Sequence, residues 1–142
     1  MKTVQQLLMS QPLALWTIAP GATVLDALKL LADAGVGALL VMEHGKLAGI
    51  ISERDYARKV MLLGKSSKDT LVRDIMTSNV LCVRPNATNE ECMALMSAKN
   101  IRHLPVLEDD QVIGMLSMRD LVADIISERE YTIRQLESYI YS

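Results

Sequence analysis

Only two histidines and two cysteines occur among the 142 residues, and that scarcity removes several kinds of chemistry. His44 falls in a polar turn and His103 at the entrance to an apolar run, so neither a metal cluster nor a Ser/His triad is readily assembled. Cys82 and Cys92 have no His or Cys partner at metal-ligand spacing. Both occupy apolar positions, where a thiol behaves as a small hydrophobe, and both are expected in the core. The nine methionines are scattered over core-like positions, which argues against a copper site. There is no surplus of charge of one sign: the formal charge is −2 and acids and bases are interspersed, so the basic footprint of a nucleic-acid binder is missing. The longest apolar run, Val36 to Met42, is far too short to cross a bilayer. The N-terminus lacks the pattern of a secretory signal, and the expected compartment is the cytoplasm.

Familiar phosphate and nucleophile motifs are also missing. Gly64-Lys65-Ser66 resembles the end of a P-loop, but Lys59 stands where its first glycine belongs, and a helix is expected before it instead of a strand. Gly35-Val36-Gly37 precedes a strand where a dinucleotide fingerprint would follow one, and Leu40 takes the place of its third glycine. No Gly-x-Ser-x-Gly elbow occurs. These absences point away from an enzyme.

What the chain does have is a duplicated text. Gly49-Ile50-Ile51-Ser52-Glu53-Arg54-Asp55 returns 65 positions later as Gly114-Met115-Leu116-Ser117-Met118-Arg119-Asp120. At the same offset Pro20, Ala22 and Thr23 meet Pro85, Ala87 and Thr88, and Leu39, Val41 and Glu43 meet Leu104, Val106 and Glu108. Val4 to Leu8 resembles Val72 to Met76 if three extra residues lie near Gln11 to Leu13. Half the residues are apolar, enough for two small repeats to share a packed soluble body. Two copies suit a pseudo-twofold pair that buries apolar faces together.

Each repeat reads as β-α-β-β-α. Trp16 to Ile18 and Leu81 to Val83 are short strands. Thr23 and Thr88 open helices, with Asp26 and Glu91 three residues on, the spacing of a capping box. Leu25, Leu28, Leu31 and Ala32 mark the apolar face of the first helix; Cys92, Met93, Leu95 and Met96 mark that of the second. Ala38 to Met42 and His103 to Leu107 form hairpins with Leu47 to Ile51 and Val112 to Leu116, and helices follow over 53–63 and 118–128. The expected division is repeat one over 1–64, a polar joint over 65–71, repeat two over 72–128 and a tail over 129–142. Tyr131, Ile133, Leu136 and Ile140 make that tail a candidate amphipathic helix, either folded back on its own domain or forming a homodimer contact.

Ser52/Asp55 and Ser117/Asp120 have two readings. Ser-x-x-Asp is itself a capping box. It also follows an apolar strand and contains an arginine in both copies; a carboxylate accepts both hydroxyls of a ribose, while hydroxyl, guanidinium and helix N-terminus suit a phosphate.

With these motifs and Ile101-Arg102-His103-Leu104-Pro105-Val106, the chain resembles a tandem pair of cystathionine-β-synthase (CBS) domains, a Bateman module, over nearly its whole length. It is most similar to stand-alone pairs of bacteria and plant organelles. The resemblance implies a non-catalytic sensor of adenine nucleotides: AMP, ADP or ATP first, NAD or S-adenosylmethionine next, held in two clefts between the repeats. It also implies disk-shaped dimers of such pairs and an unidentified regulated protein. The rival reading is an interaction module with nucleotide secondary, since plant relatives that resemble this chain act on thioredoxin-type proteins. Carried over by residue, Asp55 and Asp120 would each take a ribose, and Ser52 with Arg54, and Ser117 with Arg119, would lie by phosphates. Cleft one would join Asp55 and Ile50 to Leu81 and Ile101; cleft two would join Asp120 and Met115 to Trp16 and Val36. Ile50, Leu81, Val36, Ile101 and Trp16 are equally explained as core. Arg102 and His103 stand where the family often faces phosphate, whereas repeat one has Gly37 and Ala38, so the clefts are expected to differ. Pairing of Arg102 and His103 with surface acids is the simpler alternative.

Overall fold

The computed structural model describes residues 2–10 and 15–141; the expected insertion near Gln11 to Leu13 lies outside them. The described elements are α1 (Val4–Ser10), β1 (Thr17–Ile18), α2 (Val24–Ala34), β2 (Ala38–Glu43), β3 (Lys46–Ser52), α3 (Glu53–Tyr56), α4 (Val72–Ile75), α5 (Asn89–Lys99), β4 (His103–Glu108), β5 (Gln111–Ser117) and α6 (Met118–Tyr141). The fold is α/β, built from two like halves. In the first, β1 pairs in parallel with β2 and β2 pairs antiparallel with β3. In the second, β4 and β5 form the matching hairpin. Both hairpins slip register at equivalent places, Val41/Met42 and Val106/Leu107. Both turn through two residues of positive φ, His44-Gly45 and Asp109-Asp110, whose twist matches that of the flanking strands. The central strand β2 is buried from Ala38 to Val41.

The expected Leu81–Val83 strand shrinks to one parallel bridge, Val83 to Val106, with Val83 N donating to Pro105 O at 3.0 Å. The apolar face of α2 is rotated from the expected one: Val24, Ala27 and Leu31 are buried, Leu25 and Leu28 half-buried, and Ala32 exposed. Thr23 and Thr88 cap as expected, accepting from Asp26 N and Glu91 N at 3.1 Å each. The helices end at residues of positive φ, Gly35 and Asn100. The helix after the first motif is α-helical only to Tyr56 and then widens to π-helical geometry over Ala57–Met61. The helix after the second runs unbroken to Tyr141. Its last turns do not fold back: Tyr131, Ile133, Leu136, Tyr139 and Ile140 are all exposed. Cys92 is buried, and burial, with Glu91 nearby, pushes its thiol up to about 11. Cys82 is only half-buried.

The two cores do not follow the order of the chain. Val72 and Ile75 of α4 pack with Val24, Leu31, Leu39 and Ile51 of the first half. Val4 and Leu7 of α1 pack with Cys92, Met96, Leu104 and Leu121 of the second. Backbone bonds fix the exchange: Val72 N to Ala22 O at 2.9 Å, and Val4 N to Ala87 O at 2.8 Å. Lys2 Nζ reaches Asp124 Oδ1 at 2.8 Å, and Asn89 Nδ2 donates to Asp124 Oδ2 at 2.9 Å. Each half therefore borrows a helix from the segment preceding the other, and β3 of the first half lies against β5 of the second.

Candidate functional site

Where β3 ends, the chain turns into α3 through Ser52. Ser52 N donates to Asp55 Oδ2 at 2.9 Å, Ser52 Oγ to the same oxygen at 3.0 Å, and Asp55 N returns a bond to Ser52 Oγ at 3.2 Å. This reciprocal pair is the capping box. The second motif repeats it, with Ser117 N to Asp120 Oδ2 at 3.0 Å and Asp120 N to Ser117 Oγ at 3.1 Å. The structural role of both motifs is thus real, and it does not exhaust the first carboxylate. Asp55 Oδ1 also lies 3.3 Å from Lys59 Nζ, which itself donates to Ile75 O at 2.9 Å. The box holds the carboxylate still, with one oxygen turned from the cap.

Around that turn lies a cavity of about 350 Å³. One wall is the motif itself, Ile50 and Ser52 to Asp55; a second is the segment Thr77 to Leu81; the third is Ile101 to His103, with Gly37 between. Thr77 is anchored to β3 by a two-way backbone bridge with Ile50, at 3.0 and 2.9 Å. That bridge needs Gly49, because a Cβ there would lie 2.8 Å from Thr77 O and 2.7 Å from Met76 Sδ. Glu53 N donates to Gly37 O at 3.0 Å, and at the equivalent point Met118 N donates to Arg102 O at 2.8 Å. The His103 imidazole lies over Gly37, 3.6 Å from where a Cβ would stand. Arg54 crosses between halves, Nη1 donating to Asn100 O at 2.9 Å, an exposed carbonyl at a helix C-terminus, where a cation is favoured.

Nine residues singled out in the sequence therefore share one cavity: Gly37, Ile50, Ser52, Arg54, Asp55, Leu81, Ile101, Arg102 and His103. Ala38 does not join them; it is fully buried in the central strand, so its place opposite His103 in the repeat is core. None of the residues assigned to cleft two lines this cavity. There Ser117, Asp120 and Met115 are half-buried, Arg119 is exposed, Val36 packs against the first core and Trp16 is 38% exposed. Glu53, Thr77, Asn79 and Val80 line the cavity and were not anticipated. Glu53 stood within the motif and was legible there; the other three belong to an irregular segment with no periodic signal.

Burial holds the His103 imidazole below its ordinary pKa. The Asp120 and Glu53 carboxylates oppose that shift, and Arg102 and Arg54 reinforce it. His103 is therefore a neutral hydrogen-bonding group at neutral pH. The cavity offers an apolar slot (Ile50, Val80, Leu81, Ile101), fixed hydroxyl and carboxylate oxygens, and two guanidiniums. Such a set suits a flat heterocycle carrying a polyhydroxylated sugar. Among the described residues, no group of three or more His, Cys, Asp or Glu is placed to hold a metal.

Two like α/β halves with a cleft between them define a paired-repeat module. The CBS domain profile matches residues 4–62 and again 72–127. The chain belongs to the CBS-domain family and carries the domain twice in tandem. It is 43% identical over 123 residues, 83% of its length, to the mitochondrial CBS domain-containing protein CBSX3 of Arabidopsis thaliana, and it covers 60% of that protein. The solved structure of a putative signal-transduction protein with CBS domains from Burkholderia ambifaria superposes with a TM-score of 0.86 at 46% identity, over 89% of this chain and 95% of that one. The CBS domain pair of protein MJ0100, solved with 5′-methylthioadenosine and S-adenosylmethionine, superposes with a TM-score of 0.76 at 26% identity, over 90% and 98%. No described helix is long and apolar enough to cross a membrane.

Proposed function

We propose that the chain is a non-catalytic regulatory module that binds an adenosine-containing ligand in the cleft beside Asp55 and passes its occupancy to a partner protein. AMP, ADP and ATP head the candidates, with S-adenosylmethionine and NAD behind them. The observation that carries this reading is the cavity of about 350 Å³ in which both repeats meet. The Asp55 carboxylate would take the ribose hydroxyls, Ile50, Leu81 and Ile101 would enclose the base, and Arg102 with the Ser52 turn would face the 5′ group. The adenosine ligands of the MJ0100 pair support the same class.

A ligand touching Ile50 to Asp55 on one side and Thr77 to His103 on the other binds best when the halves are apposed. Only such differential affinity lets a ligand shift an arrangement of domains. The apolar residues left exposed along α6 favour a protein contact there, and a homodimer is the proposed occupant. Light scattering tests it: a monomer at high micromolar concentration, with and without nucleotide, refutes the dimer. Cytoplasmic residence is part of the proposal, beside a plant relative named as mitochondrial.

Mass spectrometry of the small molecules that co-purify with the protein, followed by a thermal scan with each one, tests the binding. An adenosine compound that raises the melting temperature in a concentration-dependent way is expected. If a panel of adenosine, AMP, ADP, ATP, NAD and S-adenosylmethionine leaves it unmoved, the reading falls. Capture of a protein partner indifferent to nucleotide would favour the interaction module instead.

A further inference from the structure

The charges around the cleft are of both signs. Its lining holds two guanidiniums, Arg54 and Arg102, and two carboxylates, Glu53 and Asp55. Arg54 already donates to Asn100 O. Asp55 is engaged by Ser52 and Lys59. His103 is held neutral at pH 7 by burial. Glu53 and Arg102 remain: among the described residues neither side chain makes an ion pair or hydrogen bond, while the Glu53 amide bond to Gly37 O fixes that residue at the cleft. An unneutralised carboxylate acts on whatever charge a ligand carries nearby, and repeat two has the uncharged Met118 at the equivalent position.

We propose that Glu53 sets the charge specificity of this cleft by opposing its two guanidiniums, lowering the preference for polyphosphates over adenosine ligands whose 5′ substituent is uncharged or cationic. This deepens the proposed adenosine reading and rests on it. Near a protein surface a unit charge several ångströms from a phosphate is worth about 1 kcal/mol, or roughly 3- to 10-fold in affinity. The interaction weakens with salt. Glu53 also lies in the first turn of α3, where a carboxylate favours the helix; that effect is the same for every ligand.

The test is calorimetric titration of the full chain and its Glu53→Gln variant with adenosine, ATP and S-adenosylmethionine at low salt. In the variant ATP should bind about 3- to 10-fold tighter and S-adenosylmethionine weaker by a similar factor, with adenosine within about twofold. Glu53→Lys should carry both changes further in the same directions. The inference is overturned if all three ligands shift together, the signature of a structural effect, or if the ratio of ATP to adenosine affinity stays put. Binding with an unmoved ratio sinks the inference alone. If none of the three binds either protein, the adenosine reading falls and takes the inference with it.

Discussion

Asp55→Ala separates the two roles of the motif, because the carboxylate serves the fold and the proposed ligand through different oxygens. The Asp55 side chain is only 13% exposed, so its loss is felt with little solvent relief. Removing it leaves Ser52 N and Oγ without their acceptor at 2.9 and 3.0 Å. Loss of such a cap costs about 1–2 kcal/mol, which at this chain length lowers the melting temperature by roughly 3–8 °C. If the carboxylate also holds a ribose, the lost charge-assisted bonds are worth ~1.5–3 kcal/mol, a weakening of about 10- to 100-fold. The two effects are read in one experiment, melting with and without nucleotide. At a ligand concentration 100 times the wild-type Kd, wild-type stabilisation is about 2.7 kcal/mol, and in the variant it shrinks to between about 1.4 and 0.4 kcal/mol. Asp55→Asn is the companion, since its amide oxygen can still accept from Ser52 N. It should recover most of the stability while binding remains weak, because the charge is gone. An Asp55→Ala protein that melts early yet gains the full 2.7 kcal/mol or so from ligand would reduce the motif to a helix cap.

Three further outcomes are expected. Gly49→Ala should destabilise by about 1–3 kcal/mol through overpacking and also weaken nucleotide binding, since its new methyl would press on Thr77 O and shift the wall from Thr77 to Leu81; denaturant titration together with calorimetry checks both halves. Because the folded pKa of His103 lies below its ordinary value of 6.5, the unfolded chain takes up this proton first. His103 therefore contributes stability that is present above about pH 6.5 and lost as pH falls through the folded value, and His103→Gln should melt with a shallower pH slope as pH falls below about 6.5; equal slopes would count against the burial argument. Arg102→Ala should weaken AMP more than adenosine in parallel titrations, because a guanidinium supplies charged, bidentate donors to a phosphate and little to an uncharged sugar; equal losses for both ligands would contradict it.

Local and periodic features were legible in the sequence. The duplicated motif, the two hairpins, and the Thr23 and Thr88 caps depend on contacts within a few residues or on a strict repeat, and the chain states those directly. The motif also announced strand ends carrying hydroxyl and carboxylate, and most residues expected for the first cleft meet in one cavity. Tertiary structure alone decided the rest. Nothing in Val4 to Leu8 or Val72 to Met76 says which core each will enter, since an apolar helical turn fits either; backbone bonds to Ala87 and Ala22, distant in the chain, make the choice. The same distance hid Thr77 to Val80, which reach the cleft only because Thr77 pairs with Ile50 across the first sheet's edge. It hid the different fates of two aligned neighbours as well. Ala38 is sealed in a central strand, while His103, its counterpart by repeat, opens on the cavity. A repeat fixes what each half resembles; how the halves exchange helices and what lies between them is settled by packing over long separations, which similarity between the copies does not encode.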